Sequence, residues 1–192
     1  HQMKIGAVVE DISLFHAAVE GFRATYHGIP GDVWNAQRFL GTANTSNGDG
    51  DSLLEPATEG LLFWEHLALA GLLKDSFDGV TNRPGEGLPE GPLRYSGYAV
   101  VDCTSYLPRC TDVVMLSLSK FAGAVGGLSL LTPAEAAGLD ERLDDGIADS
   151  GTFRTVEGSD AAANSCVTAG GAYNFSTEEE SCIILMVIVG EA

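Results

Sequence analysis

MKIGAVVEDISLFHAAVEGFRATY followed by HGIPGD, residues 3–32, is the stretch whose reading decides the fold. Ile5, Val8, Ile12, Phe15, Val19, Phe22 and Tyr26 recur at alternating steps of three and four. That spacing is the apolar seam of an amphipathic helix. Lys4, Glu10, Asp11, Glu20 and Arg23 fall between the seam positions and are expected to face water. At about 1.5 Å per residue, a helix from Met3 to His27 makes a spine of roughly 37 Å, longer than an average globular helix. Gly28 is expected to cap it, since glycine tolerates positive φ, and Pro30 lacks the N–H needed to continue it. Residues 1–27 are therefore read as a spine and 28–192 as a head, within one globular domain.

Composition narrows the function. A chain of 192 residues is long enough to bury a core unaided. With 27 acidic and 10 basic residues the formal charge is −17, which argues against nucleic acid and anionic membranes as partners. The longest apolar run, Ile183 to Val189, is far shorter than the roughly 18 residues a membrane span needs. No Gly-x-Ser-x-Gly elbow, His-Glu-x-x-His, Walker loop or dinucleotide fingerprint occurs, so no enzyme activity is expected. The adjacent Asp144 and Asp145 lie in a helix-stop turn, where side chains point apart, and make a poor pair of catalytic acids.

The four cysteines are Cys103, Cys110, Cys166 and Cys182, with no Cys-x-x-Cys spacing and no histidine nearby. Three pairings are possible from sequence. Cys103–Cys110 and Cys166–Cys182 are the expected ones, because each closes a polar, turn-rich loop at the edge of an expected strand. Two disulfides imply an oxidising compartment, the periplasm or the cell surface.

After the Pro-Gly-Asp turn, Trp34, Phe39 and Leu40 are expected core anchors, and Asp32 is placed to N-cap a short helix. The polar stretch 45–52 sets Asn47, Asp49 and Asp51 at positions one, three and five of a calcium loop. The match then fails, with Ser52 in place of the loop glycine and Thr58 in place of the bidentate glutamate, Glu59 standing one place late. Residues 58–73 are helical and apolar on most sides, hence buried, and His66 within them is read as a hydrogen-bonded core histidine. Residues 74–92 read as loop. Tyr95–Cys103, Val113–Phe121, Leu128–Leu131, 152–156 and Ile183–Val189 are expected strands, the last one central and buried on both faces. Thr132-Pro133-Ala134-Glu135 is a capping box that starts a helix over 133–143, stopped at Gly146.

The spine ending in Gly28-Ile29-Pro30-Gly31-Asp32 resembles the Leu-Pro-Gly-Asp element of type IV pilin-like proteins, the pilins and secretion-system pseudopilins. Residues 47–51 and 63–72 resemble a turn and helix found in several of them. Arg142 to Gly146 followed by Ser150-Gly151 resembles another of their turns, and Cys166 to Cys182, anchored by Tyr173 and Asn174, resembles their disulfide-bounded C-terminal loop. The resemblance covers 3–73 and 132–189. Residues 74–131 match nothing in it and are where a subunit would carry its own specificity.

What the resemblance implies is an α+β fold, with the long helix packed on an antiparallel sheet, extra helices and that C-terminal loop. It also implies a structural subunit of a type IV pilus or a type II secretion filament. An apolar half-helix preceding His1 would anchor it in the inner membrane and join it to other subunits, while residues 1–192 alone would be monomeric. The alternative reading is a periplasmic or surface binding module whose acidic loops hold calcium or a glycan. Two loops qualify for calcium: Asn47, Asp49 and Asp51, helped by Glu55 or Glu59, and Asp144, Asp145 and Asp149, helped by Asp140 or Glu141. No other cofactor is expected.

Overall fold

The computed structural model describes residues 2–41, 45–105, 107 and 112–190. Helix α1, Gln2–Tyr26, is followed by the short α2, Ala36–Leu40, and by α3, Glu59–Leu69. Strands β1, Ser96–Val100, β2, Val114–Ala122, and β3, Val125–Leu128, come next. Helix α4, Pro133–Leu143, then separates them from β4, Phe153–Glu157, and β5, Cys182–Val189. All pairings are antiparallel in the order β1-β2-β5-β4, with β3 also paired to β2. The protein is thus α+β, a long N-terminal helix on an antiparallel sheet.

The α1 seam holds the two layers together. Val8, Phe15, Val19 and Phe22 are buried, and Ile5, Ile12 and Tyr26 pack half-buried against the same core. Phe15 meets Trp64 of α3 and Tyr98 of β1 edge-on, with ring centroids 5.0 and 4.9 Å apart. Edge-to-face pairs add about 0.5–1.5 kcal/mol each beyond the area they bury. Asp11 departs from the expected watery face. Half-buried, it accepts a hydrogen bond from the Tyr98 hydroxyl at 2.9 Å, and burial raises its carboxyl above the ordinary range.

The expected central strand is central: β5 lies between β2 and β4. Ile184, Met186 and Ile188 belong to the main core, whereas Ile183 and Leu185 join Met115, Val113 and Leu107 in a smaller cluster on the opposite face. A strand buried on both sides needs no polar alternation, which is why its sequence shows none.

Three local expectations around the end of α1 are corrected. His27, not Gly28, takes the left-handed conformation, with φ 58. Histidine tolerates that region better than most side chains. The N-cap position of α2 is Asn35 rather than Asp32, whose carboxylate is drawn elsewhere. Trp34 and Phe39 are 67% and 50% exposed, and Leu40 is half-buried; Val33 and Ala36 anchor this segment instead. Further on, α4 begins as its sequence indicates. Thr132 and Glu135 form the reciprocal capping box with Pro133 in the first turn.

Candidate functional site

The acidic loop 45–59 is held against the end of α1 by a joint at Gly31-Asp32. Gly31 sits at φ 91, and a side chain there would lie 2.5 Å from the Glu59 carbonyl oxygen, so only glycine lets the two segments meet. The Gly31 N–H donates to His66 Nδ1 at 2.9 Å. Because Nδ1 accepts, Nε2 carries the proton, and it donates to the Ser46 carbonyl at 2.9 Å. His66 is fully buried, and burial lowers its pKa, so the neutral ring is the form that fits. This is the core histidine read from the sequence, and it joins the end of the spine to the loop.

Asp32, 4% exposed, closes the joint from its other side. Its Oδ1 accepts from the Gly50 N–H at 2.7 Å and its Oδ2 from the Ser52 N–H at 3.0 Å. Asp49 accepts from the Asp51 N–H and Asp51 from the Leu53 N–H, the local turns that such side chains favour. Glu59, in the first turn of α3, accepts the Asp49 N–H on Oε1 at 2.9 Å.

The result is a convergence of negative charge. Oxygens of Asp32, Asp49 and Glu59 lie within 4.8 Å of one another, as do those of Asp49, Asp51 and Glu55. Among the described residues, none of the salt bridges reaches these five carboxylates. Glu59 is 4% exposed, and no amide, hydroxyl or cationic group of the described residues donates to its buried Oε2. Burial first, then a hydrogen bond with the Glu55 carboxyl, and the nearby charges of Asp32 and Glu55 push its pKa up to about 8, although the Asp49 N–H opposes the shift. Asp32 is likewise raised by burial, against the pull of Gly50 and Ser52. Oxygen-only donors of this kind are suited to a hard divalent cation.

The structure regroups the expected ligands. Asp49 and Asp51 are in the cluster, but Asn47 Oδ1 accepts the Gln37 N–H at 3.0 Å and so satisfies the first turn of α2. Asp32, read from the sequence as a helix cap, joins instead. Its 17-residue distance from Asp49 gave no local signal; the only clue was a buried-type turn carrying a charge.

The second acidic loop is different. Asp144 Oδ2 accepts from the Phe153 N–H and from Thr152 Oγ1. Asp145 accepts from the Ile147 N–H and the Ser150 hydroxyl, bonds that hold its pKa below the ordinary range. Asp140, fully buried, receives the Gly146 N–H and the Tyr173 hydroxyl, the latter at 2.6 Å. The group that converges is Asp140, Asp144 and Asp145; Asp149 is exposed beside Gly171 and stands apart from it. The loop's own donors already serve these carboxylates.

Cys166 and Cys182 form a disulfide, with 5.1 Å between Cα atoms, and it closes the C-terminal loop onto the start of β5. Within that loop Tyr173 is buried, and Asn174 bonds the Cys166 carbonyl and the Asn164 carbonyl. The expected Cys103–Cys110 bridge lies outside the described residues, because Cys110 does. No helix among the described residues is long and apolar enough to cross a membrane. No protein-family model, curated protein or solved structure matches this chain.

Proposed function

We propose that this chain is the head of a filament subunit of the type IV pilin-like kind, acting in a pilus or a type II secretion filament. The observation that carries the reading is α1. It is a single 25-residue helix that lays one apolar seam on the sheet and on α3 and leaves Glu10, Ser13, Leu14, Ala17 and Glu20 exposed on its outer side. A helix this long, packed on the head along one face, is suited to continue an N-terminal segment that packs lengthwise against copies of itself. The Cys166–Cys182 disulfide supports an oxidising location, the periplasm or cell surface; inner-membrane anchoring before assembly belongs to the same proposal. Subunits of the same kind are the proposed partners, and the role is structural rather than catalytic.

Chemical cross-linking of intact cells that make the native protein tests this directly. The reading predicts a ladder of covalent multimers from a filament or inner-membrane fraction. A monomer band alone, in the soluble cytoplasmic fraction, contradicts it.

A further inference from the structure

We infer that Asp32, Asp49 and Glu59, with Asp51 and Glu55 at the mouth, form a binding site for a divalent cation of the calcium type. The inference stands independently of the filament reading.

Two observations carry it. The first is the convergence of carboxylates from three segments far apart in sequence: the turn after α1, loop 45–55 and the first turn of α3. The second is Glu59 Oε2, a buried oxygen to which no amide, hydroxyl or cationic group of the described residues donates, on a carboxyl whose charged neighbours are the carboxyls of Glu55 and Asp32. The described second loop offers the contrast, since Asp140, Asp144 and Asp145 are all supplied with protein donors.

The chemistry selects the ion. Calcium takes six to eight oxygens in flexible geometry, and Asp49, Asp51, Glu55 and Glu59 offer carboxylate oxygens of this sort. Asp32 spends one lone pair of each oxygen on Gly50 and Ser52, and each oxygen retains another. Among the described residues no thiolate or imidazole joins the set, which disfavours zinc and copper. A bound ion would tie the loop to both the spine joint and α3, so that occupancy stiffens the junction of spine and head.

Isothermal titration of calcium into chelator-treated protein is the test, with terbium luminescence as a second readout. Trp34 lies against Gly50, 3.3 Å from where a side chain on that glycine would begin, and is placed to sensitise terbium in the loop. Wild type and Asp144→Asn are expected to show one saturable site of equal affinity. Glu59→Gln and Asp49→Asn, which keep side-chain shape while removing charge, are each expected to weaken it by roughly tenfold or more, since ligand charge sets affinity in such loops. Circular dichroism confirms that the variants are folded. An Asp51→Asn variant, changed at an exposed position, repeats the comparison if either is not. Absence of saturable heat at millimolar calcium, or binding that survives these charge removals and is lost in Asp144→Asn, overturns the inference.

Discussion

His66 is the residue on which the junction of spine and loop turns. Both ring nitrogens are committed, one to the Gly31 N–H and one to the Ser46 carbonyl, and only the neutral ring can accept and donate in this way. Burial holds its folded-state pKa below the ordinary histidine value. In the unfolded chain the ring takes up a proton near pH 6.5. As the pH falls below that point, the unfolded state binds more protons than the folded one. The stability present above about pH 6.5 is then lost progressively toward the lower folded value. Urea unfolding at pH 7.5 and pH 5 is expected to show a larger acid loss in wild type than in His66→Gln, the carboxylates being common to both. Equal losses would mean that the ring is not held neutral. A histidine in an apolar helical run was legible as a core residue. Its partners were not, because Gly31 and Ser46 are backbone groups that sequence does not label.

At the scale of elements, what could be read was what is decided locally. The capping box of α4 uses Thr132 and Glu135, three residues apart, and β5 carries its burial in composition alone. The seam of α1 is equally local, since helical periodicity places Phe15 and Val19 on one face. Misreadings cluster between elements. Trp34 and Phe39 are apolar by type, but the fold turns them outward, and Asp32 looked like a cap because its true partners lie 18 and 20 residues away. The same limit applies to the candidate site. Asp49, Asp51 and the assisting Glu55 and Glu59 were visible in one loop, whereas Asp32 was brought in by the turn after the spine. Element-scale energetics also predict a role for the C-terminal bridge. Cys166 and Cys182 are 16 residues apart, and a loop of that size is worth about 3 kcal/mol in the chain-entropy model. Folded domains hold only about 5–15 kcal/mol in total. Cys166→Ser combined with Cys182→Ser is therefore expected to lower the melting temperature by several degrees, roughly 2–4 °C per kcal/mol at this size. An unchanged melting temperature would show that Tyr173 and Asn174 alone hold the loop.

For the whole molecule, the dominant quantity is the formal charge of −17. Like charge of this size keeps molecules apart in solution. Residues 1–192 are accordingly expected to scatter light as a monomer at low ionic strength, and concentration-dependent fibres would show that the head itself polymerises. The filament reading places assembly on a helical segment preceding His1 rather than on the head. The most direct measurement is therefore the sequence and intact mass of the native protein's N-terminal region, with the coding sequence upstream of His1. The account predicts a Gly-Phe-type cleavage site followed by about twenty apolar residues carrying one glutamate, enough to span a bilayer and continue α1. A native chain whose upstream region is polar, or that starts within a few residues of His1, would contradict it.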